Sequence, residues 1–387
     1  MKLFYYLSRV KSIVLTIVID LLSLFIKKDK KLHFYIPFQP SEEKFAGNIK
    51  ALYEFSYNNK DYKSIIFAKT DILYKELKGK NYNVIKGNFK KLYYLVKANF
   101  IVIDGTTTRL ISRNLNLIQL WHGIGFKNVG LENQNTSDKL SKILLKRHYN
   151  QYKLITSSSE TDSLKHKNDF KVDSAIVTGL ARNDVFFQEQ YKIEDFKTKY
   201  NIKGYNKVIL YAPTFRDNFT TDNFTTEFWE KLNQLMVDKN QLFIVKKHLW
   251  DSFFKVPSNY SNIKDYTKTV DDVQELLIVT DVLISDYSSI VTDFSITKRP
   301  IIYYLFDHQL YLEKCRSIFG DIEQILPGPF ANKEDELYNL LSGEYEWQDE
   351  PNLKSKVNDF LNKYHYYHDG DSCKRIFEEI KRLENEK

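Results

Sequence analysis

Residues 281–304 read DVLISDYSSIVTDFSITKRPIIYY and combine a buried strand, a hydroxyl-rich loop, a short helix and a second buried strand. The first strand ends near Asp286, and Ser288 and Ser289 follow where the helix is expected to start. Hydroxyls and free backbone N–H groups at a helix N-terminus bind phosphate well. Asp293 lies four residues past Ser289 and therefore on the same helix face. The stretch predicts either a site for phosphate and ligand hydroxyls or an ordinary βαβ unit in which Ser288 is only an N-cap.

Strand-like apolar runs alternate with helical segments along most of the chain. This alternation predicts an α/β protein with parallel, doubly wound sheets. The first series of strands is predicted at 33–38, 64–68, 99–104, 115–121, 152–158 and 174–179, and the second at 207–213, 242–248, 282–285 and 299–304.

A polar stretch at about 188–206, rich in Lys, Tyr and Asn, separates the two series of strands. We therefore predict a short N-terminal segment, 1–31, followed by a first domain, 32–200, and a second domain, 201–387, that includes a C-terminal helix. Two such domains leave a cleft between the carboxyl ends of their strands, which is the usual place for a ligand.

Composition narrows the class of protein. A chain of 387 residues suits two domains of ordinary size. Cys315 and Cys373 form no metal or redox spacing and no cleavable signal peptide is visible, so we expect a reducing cytosol. The formal net charge is +7, of which residues 1–31 carry +5. Because the rest is nearly balanced, a broad nucleic-acid groove is not expected.

The N-terminal segment has a helical period, with an apolar face and a narrow polar stripe. Only 15 residues separate Lys11 from Lys27, fewer than the roughly 20 needed to cross a bilayer. We predict an amphipathic helix lying on an anionic membrane surface; the alternative is a helix packed on the protein's own domain. The apolar positions are Leu3, Leu7, Val10, Val14, Ile17, Leu21 and Leu24, and the polar ones are Ser8, Ser12, Thr16, Asp20, Ser23 and Lys27.

His122 is the candidate general base. It follows the apolar run LNLIQLW and precedes Gly123 and Gly125, so it lies at a predicted strand's carboxyl end, where the backbone can approach a ligand. An imidazole has a pKa near neutrality and can take a proton from an attacking hydroxyl. The alternative is a structural histidine bonded to backbone.

Charged side chains recur where other predicted strands end. His248 closes the run LFIVKKH, and Lys246 lies two residues before it on the same side of the strand, a pair that could neutralise a diphosphate. Arg216 follows VILYAPTF, and Arg182 with Asp184 follows SAIVTGL. Each alone is a common surface residue, but together they favour phosphoryl transfer, which depends on positioning and charge stabilisation.

Other patterns favour structural roles. Residues 369–371 read DGD, a metal-binding pattern, but Ser372 and a helical pattern follow directly, which favours a turn and helix cap. His365 and His368 lack further ligands at a zinc spacing. The sequence has no P-loop, serine-hydrolase or zinc-peptidase motif. No metal or cofactor is predicted.

The chain resembles the CDP-glycerol glycerophosphotransferases that build wall teichoic acids and related capsular polymers, over most of its length beyond residue 35. Five elements in the family's order carry the resemblance, and any one alone would be weak. They are Trp121-His122-Gly123 with Lys127 and Gly130 (WHG…K…G), Thr178-Gly179 with Arg182 and Asp184 (TGxPRxD), Ala212-Pro213-Thr214-Phe215-Arg216 (APTWR), Lys246 with His248 (KxHP), and Asp286-Tyr287-Ser288-Ser289 with Asp293 (DYSSxxxD).

The resemblance implies a GT-B fold with two Rossmann-like domains, peripheral attachment at the cytoplasmic face of the cell membrane, and metal-independent transfer from CDP-glycerol or CDP-ribitol to a lipid-linked acceptor. The first domain would bind the acceptor and the second the CDP-alditol. His122 would be the base, and His248 and Arg216 would stabilise the diphosphate as CMP leaves. Ser288 and Ser289 would share that task, Asp293 would hold donor hydroxyls, and Arg182, Asp184, Lys246 and Asp286 would complete the substrate-binding set.

Three departures from the family pattern stand out. Leu249 replaces the proline after the histidine, Ala181 replaces the proline of TGxPRxD, and residues 124–126 (IGF) replace the commoner Thr-Pro-Leu. The last departure lies beside the expected base, so the acceptor stays open. A GT-B nucleotide-sugar glycosyltransferase of cell-surface polysaccharide synthesis and a catalytically silent membrane-bound scaffold remain alternatives. Four further points stay open. They are whether the donor carries glycerol or ribitol, whether the enzyme is a primase or a polymerase, whether the product is teichoic acid or capsule, and whether the protein is a homo-oligomer.

Overall fold

The computed structural model describes residues 2–38, 44–105, 110–125, 129–132, 139–187, 193–216, 223–248, 251, 253–314, 322–343 and 350–386. The chain forms two compact units. The first comprises Met1–His122, Val129–Phe187 and Tyr366–Lys387, and the second comprises Gly123–Asn128 and Gln188–His365.

The first unit contains a seven-stranded parallel sheet in the order β3-β2-β1-β4-β5-β6-β7. Its strands are β1 Asp29–Ile36, β2 Lys63–Phe67, β3 Val84–Ile85, β4 Ala98–Ile103, β5 Leu117–Gln119, β6 Tyr152–Ser157 and β7 Ala175–Val177. Its helices include α1 Lys2–Ser23, α2 Gly47–Tyr57, α3 Asp71–Gly79, α4 Asn88–Lys97, α5 Lys139–Tyr149 and α6 Glu160–Phe170, with 3-10 turns at Gly130–Glu132 and Ala181–Phe187.

Both faces of the first sheet are covered, as expected for a parallel sheet. Along β4 the side chains alternate between two cores: Ile101 and Ile103 face one, and Phe100 and Val102 face the other. This explains why β4 reads as a continuous apolar run.

The second unit contains a six-stranded parallel sheet in the order β10-β9-β8-β11-β12-β13. Its strands are β8 Lys207–Tyr211, β9 Gln241–Val245, β10 Ile263–Asp265, β11 Val282–Ser285, β12 Ile301–Tyr304 and β13 Phe330–Ala331. Its helices include α7 Ile193–Lys199, α8 Thr226–Asp238, α9 Val273–Val279, α10 Ile290–Ser295, α11 His308–Lys314, α12 Ile322–Ile325, α13 Glu334–Ser342 and α14 Pro351–Tyr364.

The α/β class with parallel sheets is thus confirmed. In each sheet the strand order reverses direction once, between β1 and β4 in the first and between β8 and β11 in the second. In open α/β sheets the crevice outside the carboxyl ends of the strands at such a reversal is the usual ligand site.

The boundaries of the units differ from the predicted domains at two places. The second unit begins at Gln188 rather than 201, because α7 packs on α9. The last helix, α15 Ser372–Asn385, was assigned to the second domain but belongs to the first unit. Its residues Cys373, Ile376 and Ile380 lie in the first unit's core with Ile49 of α2, which corrects the prediction.

Helix α1 packs on the first unit through both apolar and polar residues, and Leu15 and Leu22 lie against the unit's core. Ile19 is buried in the core, Ser12 is buried, and the Asp20 carboxylate accepts hydrogen bonds from Ser112 and Asn114. The opposite side is apolar and exposed. Its exposed side chains are Val10, Ile13, Val14, Ile17 and Leu21, followed after the helix by Leu24 and Phe25, the last of these 84% exposed. Of the helices in the described ranges, none combines the length and apolar character needed to cross a bilayer.

Candidate functional site

His122 lies one loop beyond the strand reversal of the first sheet, after β5. The residue before it, Trp121, has a φ of +56°, a left-handed conformation that a bulky residue rarely adopts. Two hydrogen bonds hold that turn: the Trp121 N–H donates to Gln119 Oε1 at 2.9 Å, and Asn48 Nδ2 donates to the Trp121 carbonyl at 3.0 Å. Strained backbone held by its surroundings in this way is typical of functional sites.

The imidazole of His122 has a defined orientation. Its Nδ1 lies 3.2 Å from the Asp104 carbonyl oxygen and donates to it, and the ring stacks with Phe38 at a centroid distance of 5.9 Å. With Nδ1 protonated, the Nε2 lone pair is directed away from Asp104 and is available to accept a proton. Among the described residues Nε2 has no hydrogen-bond partner.

The protein around this ring favours its neutral form. The side chain keeps an exposed surface, yet desolvation by the surrounding protein, aided by the positive charge of Arg182, lowers the pKa of His122. The hydrogen bond to Asp104 opposes this shift but is the smaller effect. His122 is therefore a neutral imidazole at physiological pH, the form that a general base requires.

Asp104 follows β4 at the strand reversal itself. Its carboxylate accepts the Phe38 N–H at 2.7 Å, and burial raises the pKa of this carboxyl to about 7. The side chain thus joins the loops after β1 and β4, while its carbonyl orients His122. Asp104 was not among the residues predicted from the sequence, although it ends the apolar run NFIVID just as His122 follows its own strand.

Asn48, at the start of α2, connects that helix to the loop after β5 and to the turn after β7. Its Nδ2 donates to the carbonyls of Leu120 and Trp121, at 3.3 and 3.0 Å, and its Oδ1 accepts the Arg182 N–H at 3.0 Å. Arg182 in turn donates from Nη1 to the His122 carbonyl at 2.9 Å. We call Asn48, Asp104, Trp121, His122 and Arg182 the His122 cluster. Asn48 was also missed, because an asparagine at a helix start looks like an ordinary cap in sequence.

Asp184 has a structural role at the start of the last helix, and its predicted substrate contact stays a prediction. It is 3% exposed, and its two oxygens accept the N–H groups of Ser372 and Cys373 at 2.9 and 2.7 Å. Negative charge at the first turn of a helix is stabilising, so Asp184 caps α15. Gly179 is required there too, since a Cβ at that position would lie 2.3 Å from Ser372 Oγ. Lys127 lies outside the described residues.

In the second unit the loops after β8 and β11 flank the strand reversal, and Asp286 joins them. It is 2% exposed and accepts hydrogen bonds from the Thr214 N–H at 2.9 Å, the Thr214 hydroxyl at 2.6 Å and the Tyr287 N–H at 2.7 Å. Asp286 is therefore a positioning residue for both loops.

Arg216 is also engaged internally, and its predicted contact with the diphosphate stays a prediction. Its guanidinium forms a bidentate pair with Asp307 at 2.7 and 2.8 Å and a further contact with Asp286 at 2.9 Å. The rings of Tyr287 and Tyr311 lie 5.6 and 4.8 Å away. One cation between two carboxylates leaves no net positive charge. We call Thr214, Arg216, Asp286, Tyr287 and Asp307 the Arg216 cluster.

Ser288 and Ser289 are half-buried between β11 and α10. Ser289 occupies the N-cap position, but its side chain makes no capping hydrogen bond, and the Ser288 hydroxyl accepts only a long, 3.4 Å contact from the Ile290 N–H. The purely capping interpretation is therefore weakened. Asp293, farther along α10, is 1% exposed and accepts from Gln274 Nε2 at 2.9 Å. Its predicted contact with donor hydroxyls stays a prediction.

Lys246 and His248 follow β9, the neighbour of β8, and both are half-buried. The His248 ring lies 5.2 Å from the ring of Phe215, which belongs to the loop after β8. The sheet therefore brings together the loops that carry Phe215, His248 and Ser288 at its carboxyl edge. Within the described ranges, no group of three His, Cys, Asp or Glu side chains is arranged to bind a metal ion.

Comparison with known proteins gives consistent matches. The profile of the family described as CDP-Glycerol:Poly(glycerophosphate) glycerophosphotransferase matches residues 19–382. The teichoic acid glycerol-phosphate primase of Bacillus spizizenii is 29% identical over 76% of this chain and 77% of its own. The teichoic acid ribitol-phosphate polymerase TarK of Staphylococcus aureus is 30% identical over 92% of this chain and 69% of its own.

A solved structure has the same fold. A variant of the wall teichoic acid polymerase TagF, determined with CDPG, is similar with a TM-score of 0.80 over 98% of this chain and 97% of that one, at 22% identity.

Proposed function

Since the chain belongs to the CDP-glycerol:poly(glycerophosphate) glycerophosphotransferase family, we propose that it moves an alditol phosphate from a CDP-alditol to a lipid-linked acceptor in teichoic acid or related polymer synthesis. The observation that best supports this reaction is the neutral His122 imidazole, with Nδ1 bonded to Asp104 and Nε2 available. A transfer to a hydroxyl needs a base of this kind. We further propose that the two sheets form a GT-B pair, with the acceptor on the first unit and the donor on the second.

The proposed step is a single displacement at phosphorus. The acceptor hydroxyl gives its proton to His122 Nε2 while its oxygen bonds to the phosphorus that carries the alditol. The bond from that phosphorus to the oxygen of the CMP phosphate breaks, and the electron pair leaves with CMP. The products are a phosphodiester and CMP, so atoms and charge balance without a metal or cofactor.

The CDP-alditol donor would bind to the loops at the carboxyl edge of the second sheet. Lys246 and His248 would offset charge on the diphosphate, and the hydroxyls of Ser288 and Ser289 would donate to its oxygens. Because α10 has only six residues, its dipole contributes little, and the hydroxyls carry more of this role. Arg216 would act indirectly, by holding the loop after β8 against Asp286 and Asp307.

Product analysis tests the reaction. We expect CMP release, and mass addition of one alditol phosphate or more, when the purified protein receives a defined lipid-linked saccharide and CDP-glycerol or CDP-ribitol. UDP-sugars in parallel test the glycosyltransferase alternative. Turnover of a UDP-sugar alone would refute the proposal, and failure to bind either CDP-alditol would favour the scaffold. Comparing turnover of CDP-glycerol with turnover of CDP-ribitol identifies the donor. Both are tested because this chain is similar to a glycerol-phosphate primase and to a ribitol-phosphate polymerase.

We propose that the exposed apolar side of α1 lies on the cytoplasmic surface of the cell membrane. The stripe of Val14, Ile17 and Leu21 is 53 to 56% exposed, and the nearby residues Lys11, Lys27, Lys28, Lys30 and Lys31 supply positive charge. A helix that is already packed on its own unit through Ile19 and still presents a second apolar stripe outward is arranged for an apolar surface.

Substitution tests this better than deletion, because Ile19 contributes to the core. We expect Ile17→Glu with Leu21→Glu to abolish most sedimentation with anionic liposomes. Leu164→Glu is the control, since Leu164 on α6 is 58% exposed but lies off α1. Equal sedimentation of the wild type and the α1 variant would contradict the proposed attachment.

A further inference from the structure

Three helices of the first unit, α1, α4 and α5, cover the same side of its sheet. They share one core through Ile19 of α1, Leu95 of α4 and Leu145 of α5. Helices α1 and α4 are in contact, and the loop at 110–114 forms hydrogen bonds with both α1 and α5. The outward sides of these helices therefore form one surface, which we call the three-helix face.

The two sides of the sheet differ in charge. Helices α4 and α5 together contain seven lysine or arginine residues and no aspartate or glutamate. The one acidic residue of α1, Asp20, bonds inward to Ser112 and Asn114. On the opposite side, α2, α3 and α15 together contain seven basic and six acidic residues. Helix α6, beyond α5, carries three acidic residues and two lysines, so the positive surface ends at α5.

The cations of the three-helix face are directed to solvent. Lys90 of α4 and Lys146 and Arg147 of α5 are exposed, and the described residues give none of these three an acidic partner. Lys142 of α5 differs, since it acts electrostatically on Glu132. The positive charge of this face is thus available to a partner that carries negative charge.

Exposed apolar side chains lie among these cations. On α4, Phe89 is 92% exposed and Tyr93 is 46% exposed, and on α5, Leu140 and Ile143 are 47% and 44% exposed. An anionic lipid surface attracts cations and also accepts apolar side chains between its headgroups. A nucleic acid would leave the apolar side chains in water, and a twofold dimer through this face would bring the same positive charges together.

We propose that α4 and α5 lie on an anionic membrane surface together with α1, with Phe89 inserted between headgroups and Lys90, Lys146 and Arg147 against their negative charges. This inference rests on the proposed attachment through α1 and extends it. Each of the three helices leads by a short connection into a strand of the sheet, so its N-terminal end lies at the carboxyl edge, where His122 lies. A membrane-held acceptor would meet the unit at the edge that carries the proposed base.

Insertion is tested with tryptophan as a probe of depth. We expect Phe89→Trp to add fluorescence that phosphatidylglycerol vesicles with brominated acyl chains quench, because bromine quenches only indoles that reach the acyl region. Ile72→Trp is the matched control, since Ile72 is 63% exposed on α3, on the opposite side of the sheet. Its added fluorescence should not be quenched. Equal quenching of the two variants would overturn the proposed insertion.

The charges are tested by reversal. We expect Lys90→Glu with Lys146→Glu to weaken binding to phosphatidylglycerol vesicles about thirtyfold or more, since each basic residue near such a surface contributes about 1 kcal/mol. Lys75→Glu with Lys78→Glu makes the same change of charge at exposed positions of α3 and should bind as the wild type does.

The outcomes separate this inference from the proposed function. If Ile17→Glu with Leu21→Glu releases the protein from vesicles but the two charge variants bind equally, attachment through α1 stands and the role of α4 and α5 is refuted. If the wild type does not bind vesicles, both are refuted. Loss of duplex DNA binding without loss of vesicle binding in the Lys90 and Lys146 variant would also overturn the inference. No readout depends on turnover, so failure of the transferase proposal is seen separately.

Discussion

The His122 cluster and the Arg216 cluster occupy corresponding places, at the strand reversals of two parallel sheets, but they use their polar groups differently. Around His122 the hydrogen bonds go mainly to backbone, and they leave the imidazole neutral and its Nε2 available. Around Arg216 the positive charge is paired with the carboxylates of Asp286 and Asp307, and the Arg216 side chain is 8% exposed. The first arrangement suits proton transfer, whereas the second fixes the shape of two loops.

The largest expected effect is on turnover when the base is removed. We expect His122→Ala to lower kcat by roughly a thousandfold, within the range for loss of a general base, with little change in thermal stability. His368→Ala, an exposed histidine of the same unit, is the control and should keep full activity. CMP release is the measurement. An unchanged kcat in the His122 variant would remove it from the mechanism.

The next largest expected effect is a loss of folding stability when the Arg216 cluster is disrupted. We expect Arg216→Met to lower the free energy of unfolding by about 3–5 kcal/mol, because two buried carboxylates lose their partner. Denaturant titration measures it. Adding Asp307→Asn should restore part of the loss. Arg382→Met, which breaks an exposed pair with Glu379, should change stability very little. A mild loss in Arg216→Met would mean that its charge is free to bind ligand.

Substitution of Asn48 tests whether this residue positions the His122 cluster for turnover or only stabilises the fold. We expect Asn48→Ala to lower kcat roughly tenfold to a hundredfold, because the turn at Trp121 and the loop of Arg182 lose their shared partner. Asn116→Ala is the control, since Asn116 is also buried and also donates to a carbonyl, that of Asn99. Both variants should lose similar stability, but only the first should lose turnover. Equal kcat values in the two would assign Asn48 to folding alone.

The smallest expected effect is a shift of the His122 pKa and, with it, of the pH dependence of kcat. Because the pKa of His122 is lowered, its neutral form persists to lower pH than in an ordinary histidine, and the acidic limb of kcat should lie correspondingly low. Arg182→Gln removes a positive charge that favours the neutral ring, so the pKa and the acidic limb should move to higher pH. NMR titration of the His122 ring measures this directly. A wild-type pKa at or above the ordinary histidine value would contradict it.

The strands that were predicted from apolar runs are confirmed, while three short strands were missed. β3, β10 and β13 have two or three residues each. Runs this short carry too little periodicity to be recognised. All three lie toward the sheet edges, where they pair on one side only.

The position of α1 shows how periodicity can be ambiguous. The sequence predicts an apolar side and a polar side, and normally the apolar side packs on the protein. Here Asp20 and Ser12 lie against the unit and Ile17 and Leu21 are outward. Partners distant in sequence decide this orientation: Ser112 and Asn114, 92 and 94 residues from Asp20, and the core in which Ile19 is buried.

The sequence by itself determined the fold class and the loops that carry polar side chains, and it made His122 the candidate base, because strand ends and loop composition are local patterns. It did not determine which charged residues remain available to a ligand. Asp286 bonds Thr214 across 72 residues and Asp307 bonds Arg216 across 91, and Asn48 reaches Arg182 across 134. Such pairs exist only once the sheet order brings their loops together. The tertiary structure therefore decided that Arg216 and Asp184 are held by partners within their own units, while the proposed base His122 is oriented through Nδ1 alone.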